Sequence, residues 1–171
     1  MKKQSGQTLV ELIVCLLIGS ILLSLALPSF QKLTLDSQKI QQVNQLLGML
    51  HYARSTAVLE KRTISLCSGI AHCARSRNWN SSLLVFDDRN GNGQLDEQEE
   101  LLRQTTLPEH YSWRWSSFGK RPHLTYEHDG TTRALNGTFT LCQTDKALHQ
   151  IVISLSGRVR TQSPTASAKC D

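Results

Sequence analysis

The sequence predicts an α+β fold: a long N-terminal helix, transmembrane in its first part and amphipathic in its second, packed on a small antiparallel β-sandwich head. Three observations predict it. Residues 9–27 form a nearly unbroken apolar run. Beyond Pro28, apolar side chains recur at spacings of mostly threes, fours and sevens. From Thr63 onward, short segments with frequent Thr and aromatic residues alternate with Gly, Asn, Asp and Pro clusters.

The apolar run is interrupted only by Glu11 and small polar residues such as Ser20 and Ser24. At about 1.5 Å per helical residue it comes close to a hydrocarbon core of about 30 Å. Lys2 and Lys3 precede it, which favours an N-terminus on the cytoplasmic side. A secretory signal peptide fits poorly, because the run is long and no small-x-small site closes it. A plain membrane anchor fits the length but leaves Glu11 unexplained. A carboxylate costs about 2.5–3.5 kcal/mol at the centre of a span, and less toward its edge. Such a residue is usually paired and functional.

After Pro28 the stripe reads Leu33, Ile40, Val43, Leu47, Leu50, Ala57 and Val58, with Leu46 and Ala53 beside it. Lys32, Asp36, Gln38, Lys39, Gln42 and Asn44 take the other face, the pattern of an amphipathic helix. That helix is expected to run to about Lys61. Pro28 removes one helical hydrogen bond and crowds the preceding turn, so a kink is expected there.

Candidate strands are 63–67, 82–86, 101–107, 112–116, 123–126, 138–142, 150–155 and 158–161. They are short and separated by turn residues. With no second long helix and no internal repeat, they predict a small antiparallel sandwich that covers the outer half of the helix. Trp79, Trp113 and Trp115 are read as core packing rather than ligand stacking.

Cys15 lies within the span. The other cysteines, Cys67, Cys73, Cys142 and Cys170, allow three pairings. Proximity favours Cys67–Cys73, which leaves Cys142–Cys170 to pin the tail. A metal site using His72 is the rival reading. It is disfavoured by the absence of a C-x-x-C pair and by an oxidising compartment.

The formal charge is +5, yet six acids (Asp87, Asp88, Asp96, Glu97, Glu99 and Glu100) crowd one short stretch. The rest of the chain is therefore strongly basic, which favours an anionic partner. Within the acidic stretch, Asp88, Asn90, Asn92, Gly93, Asp96 and Glu99 match the EF-hand loop pattern. The flanks, 83–86 and 101–103, read as strands instead of helices, and Asn-Gly between strands signals a hairpin. The reading is a hairpin without metal; calcium held by Asp88, Asn90, Asn92, Asp96 and Glu99 is the alternative. No cofactor is expected. No nucleophile elbow, Walker loop, zinc motif or credible catalytic dyad is found, so an enzyme is not expected.

Near the C-terminus stands Gly157-Arg158-Val159-Arg160. In extended chain Arg158 and Arg160 point the same way, roughly 7 Å apart, and Val159 points into the sheet. Two such arginines suit backbone phosphates. Solvated edge-strand charges that block aggregation are the competing reading, and spacing alone favours them.

Two motifs carry a resemblance. Met1-Lys2-Lys3-Gln4-Ser5-Gly6 followed by Gln7-Thr8-Leu9-Val10-Glu11 resembles the signal of type IV prepilins, a short basic leader ending in Gly before an apolar helix with Glu at its fifth position. Pro28 matches a helix-kinking proline common in that family. The resemblance implies a leader of residues 1–6, cleavage between Gly6 and Gln7 by a prepilin peptidase, a helix of residues 7–61 spanning the membrane over about 8–27, and a head of residues 62–171. It implies that Glu11 pairs with the N-terminal amine of a neighbouring pilin. Gln7 departs from the Phe usual at the first mature position, which puts its N-methylation in doubt. The Asp/Asn/Gly-rich hairpin resembles that of FimT- and GspH-type minor pilins. Gly157-Arg158-Val159-Arg160 matches a Gly-Arg-x-Arg motif of FimT-type minor pilins, linked to DNA binding in natural transformation. The implied site is Gly157, Arg158 and Arg160, and the basic composition of the C-terminal region adds Lys169, Lys146, Arg133, Lys120 and Arg121 as auxiliary candidates. The implied setting is a bacterial inner membrane crossed once, with a periplasmic head. The implied partners are DNA phosphates, other pilins through the helix, and the peptidase. A GspH-type pseudopilin at the tip of a type II secretion system is the alternative.

Overall fold

The computed structural model describes residues 9–170. The leader and the Gly6–Gln7 junction lie outside them. The chain divides into two units, the first ending at Ile40 and the second starting at Gln41.

The first unit is helical. Helix α1 (Leu9–Glu60) begins there and is uninterrupted through Pro28. Leu12, Ile13, Leu16, Leu17, Ile21 and Leu22 are all exposed, as suits a surface meant for lipid. The helix is long and apolar enough to cross a membrane. Glu11 lies in its first described turn.

In the second unit the rest of α1 buries Val43, Leu46, Leu50, Ala53 and Ala57, together with Met49. Those positions step by three and four, so one face meets the core. The stripe begins later than periodicity suggested. Leu33 and Ile40 are 68% and 55% exposed, and Val58 lies at the margin at 37%. The helix ends where Lys61 turns to φ 56° and the Arg62 N–H donates to the Ala57 carbonyl at 3.3 Å. That left-handed cap satisfies one of the orphan carbonyls of the last turn.

Nine strands follow: β1 (Ile64–Ser68), β2 (Asn78–Trp79), β3 (Ser82–Asp87), β4 (Leu101–Thr106), β5 (Tyr111–Ser117), β6 (Leu124–Tyr126), β7 (Gly137–Gln143), β8 (Lys146–Ile153) and β9 (Val159–Gln162). They build two antiparallel sheets, ordered β4-β3-β1-β6 and β2-β5-β7-β8-β9. The chain changes sheet repeatedly: β2 and β5 join the second sheet, while β3, β4 and β6 return to the first. Two-residue β2 escapes a sequence reading because it is too short to show alternation.

Both sheets and the helix contribute to a single core. Trp79, Trp113 and Trp115 are buried around Phe139, with Trp115 stacked on it at 4.1 Å and Trp79 edge-on at 4.8 Å. The first sheet is covered on both faces. Leu83 and Val85 of β3 face the main core, and Leu84 and Phe86 join a second cluster with Cys67, Cys73 and Leu95. Cys67 is bonded to Cys73, and Cys142 of β7 to Cys170. Cys15 is free and exposed.

Candidate functional site

The hairpin joining β8 to β9 presents the C-terminal arginines. Its turn is closed by the Gly157 N–H donating to the Ser154 carbonyl at 2.9 Å and the Ser154 N–H donating to the Arg158 carbonyl at 3.0 Å. Gly157 takes φ 73°, the left-handed step that completes this three-residue loop. It is also pressed against the neighbouring turn: a Cβ there would stand 2.0 Å from the Gly130 carbonyl oxygen. Arg54 of α1 reaches both turns. Its Nε donates to the Gly130 carbonyl at 3.1 Å and its Nη2 to the Ser156 carbonyl at 2.9 Å. The Thr132 N–H donates to the Leu155 carbonyl at 3.0 Å. The turn is thus held from two sides.

Beyond it, Arg158 and Arg160 are exposed while Val159 packs against the core. The two arginines line a groove of about 530 Å³ with Asn136, Ser154 and Ser156. Neither has a carboxylate partner among the described residues, whereas Arg62, Arg89 and Arg133 are all in ion pairs. Lys169 is exposed on the tail, next to the Cys170 that fastens it to β7.

Comparison with known proteins places this head. The family model described as type II transport protein GspH matches residues 42–157. The chain belongs to the GspH family. A second model, the prokaryotic N-terminal methylation motif, matches residues 1–27, where the apolar helix begins. Among solved structures, two crystal forms of the type IV minor pilin FimU of Pseudomonas aeruginosa (strain PAO1) share the fold. One is 25% identical at a TM-score of 0.53 and covers 74% of this chain and 92% of its own. The other is 24% identical at a TM-score of 0.54, with 78% and 94% covered. Comparison with curated proteins returned no significant match. The chain therefore has a type IV pilin-like fold, with an apolar helix of the kind that anchors pilins in a membrane. The GspH match ends at Gly157, so Arg158 and Arg160 lie just past it.

In this GspH-family head the acidic stretch joins β3 to β4 as a closed loop. Asp88 is fully buried and accepts from the Asn92 N–H at 3.0 Å, the Gly93 N–H at 2.9 Å and the Ser65 hydroxyl at 2.6 Å. Asn90 and Asn92 both donate their side-chain amides to Asp96, at 2.7 and 2.9 Å. Glu99 accepts from the Arg89 N–H at 3.0 Å and the Asp96 N–H at 3.2 Å. Burial pushes the Glu99 carboxyl up from its ordinary value, and the nearby Asp88 charge adds to the shift. Among the described residues, no three His, Cys, Asp or Glu side chains are grouped to hold a metal ion. The five oxygen-bearing residues singled out by the sequence do come together, with their polar atoms engaged in mutual and backbone hydrogen bonds.

A cavity of about 590 Å³ lies beside this loop and is lined by Arg89, Arg121, His123, Glu127 and Arg133 among others. Arg133 pairs with Glu127 at 2.9 Å. Burial, helped by the Arg121 charge, holds the His123 imidazole below its ordinary value.

Proposed function

We propose that this chain is a minor pilin of a type IV pilus that binds DNA without sequence preference during DNA uptake. Arg158 and Arg160 make the contacts, and Gly157 sets the turn that presents them. The observation that carries this reading is a pair of exposed, unpaired arginines on one groove, fixed by a turn that is itself anchored to α1. Uptake DNA has arbitrary sequence, so the contacts fall on phosphates.

The rest of the reading follows the pilin motifs. Cleavage between Gly6 and Gln7 frees the mature chain, and Glu11 pairs with the N-terminal amine of a neighbouring pilin during assembly. The helix crosses the inner membrane once, leaving residues 62–171 as a periplasmic head before incorporation into the pilus.

The test is a titration of full-length chain in detergent against random-sequence duplex over a series of salt concentrations. Arg158→Gln/Arg160→Gln is expected to bind more weakly to unrelated sequences alike. Its slope of log affinity against log salt should be lower by about two, at about 0.9 per phosphate contact. Equal affinity in the two proteins removes the site. The second reading, a GspH-type pseudopilin of a type II secretion system, is favoured by the family match over residues 42–157; absence of DNA binding by the unmodified chain supports it.

A further inference from the structure

Arg158 and Arg160 stand at one margin of a wider face. Strand register in the second sheet sets Arg114 of β5, Thr140 of β7, Gln150 of β8 and Gln162 of β9 in one row. The next row is Ser116, Thr138, Val152 and Arg160. Neighbours in sequence, such as Trp113, Trp115, Phe139 and Ile151, are in the core. Side chains alternate along a strand, so both rows belong to the outer face.

The tail crosses that face. The Thr165 N–H donates to the Gln150 side-chain oxygen at 3.1 Å, and Cys170 is bonded to Cys142 on β7. Between tail and sheet lies a groove of about 390 Å³, with Arg114 and Lys169 in its lining. It shares the outer face with the groove of Arg158 and Arg160, and no Asp or Glu lines either one. Among the described residues, Arg114 and Lys169 have no carboxylate partner, like the two arginines beyond the turn. Among the described residues the face therefore carries four cations without a carboxylate partner, separated by neutral hydroxyl and amide groups.

We propose that Arg114 is a second phosphate anchor, with Lys169 beside it, and that the DNA backbone lies across the outer face of the second sheet from Arg160 toward Arg114. The proposal rests on the DNA-binding reading above and extends it. From β9 to β5 are three inter-strand steps of about 4.8 Å, or about 14 Å in all. One strand of duplex advances about 3.4 Å per phosphate along the axis while it winds around it, so the track is long enough to meet more than one phosphate of the same strand. The exposed Ser116 and half-buried Thr138 supply neutral hydroxyl groups along the way.

The experiment titrates full-length chain in detergent with random-sequence duplex across a salt series. Arg114→Gln and Lys169→Gln are each expected to lower the salt slope by about one. Arg114→Lys, which keeps the charge, should restore most of it. Lys61→Gln, which removes a charge lining neither groove, should leave the slope unchanged. An unchanged slope in Arg114→Gln, with the Arg158→Gln/Arg160→Gln slope still lowered, overturns the track and leaves the DNA-binding reading intact. A loss in Lys61→Gln equal to that in Arg114→Gln also overturns it, since bulk charge would then be sufficient. If the unmodified chain fails to bind, both readings fall together.

Discussion

Gly157 meets two separate demands at one position. Its φ of 73° lies where an L side chain is rarely found, and any Cβ would collide with the Gly130 carbonyl. Relieving the collision by moving either turn would loosen the two hydrogen bonds that Arg54 makes to them. Gly157→Val is therefore expected to weaken DNA binding while leaving every charge in place. A strained backbone residue costs of the order of 1–3 kcal/mol, so thermal stability should drop as well. Parental affinity in this variant, measured beside its melting curve, would show that the turn has no part in presenting the arginines. Gly157, Arg158 and Arg160 were legible in the sequence because they are consecutive or nearly so. Arg54 was not, because its acceptors are backbone carbonyls 76 and 102 positions away. Arg114 was equally hidden: it is one polar residue in an alternating strand, and only the register across three other strands sets it on a basic face.

At the scale of elements, periodicity carried far. The apolar run and the later stripe together gave α1, because lipid and a protein core each demand a continuous set of apolar side chains. The buried part of the stripe starts at Val43 rather than Leu33, a limit that periodicity cannot supply because an exposed helix can keep the same repeat. Eight of the nine strands overlap the expected segments, although β8 starts four residues earlier than expected, at Lys146, and ends at Ile153; β2 has no expected counterpart. The EF-hand-like loop shows why flanks matter. Its spacing of acids, amides and glycine is that of a cation loop, yet β3 and β4 bound it and Leu95 packs into the cluster under the first sheet. The methylation-motif match covers residues 1–27, the segment on which the proposed cleavage falls. Intact-mass analysis of chain extracted from membranes of a host with an active prepilin peptidase should show loss of residues 1–6. Recovery of a chain that keeps Met1 to Gly6 would refute cleavage at Gly6–Gln7.

On the scale of the whole molecule, the repeated crossing of the chain between sheets has a consequence for how the head comes apart. β6, an edge strand of the first sheet, follows β2 and β5 of the second sheet in the chain. Neither sheet is made from one contiguous stretch of chain, so neither can be lost as a detachable piece. The tryptophans tie them further. The Trp79 indole N–H donates to the Pro122 carbonyl and that of Trp115 to the His123 carbonyl, both at 3.1 Å, on the segment leading into β6. Indole fluorescence therefore senses the seam between the sheets rather than either sheet alone. Urea melting of the head followed by fluorescence and by far-ultraviolet dichroism should give coincident transitions with one midpoint, the mark of all-or-none unfolding. Two separated midpoints would mean that the sheets melt independently. Because the pairings of β1 with β6 and of β2 with β5 join distant parts of the chain, refolding should be slow for a domain of this size, whereas the arginine-bearing turn closes a local hairpin.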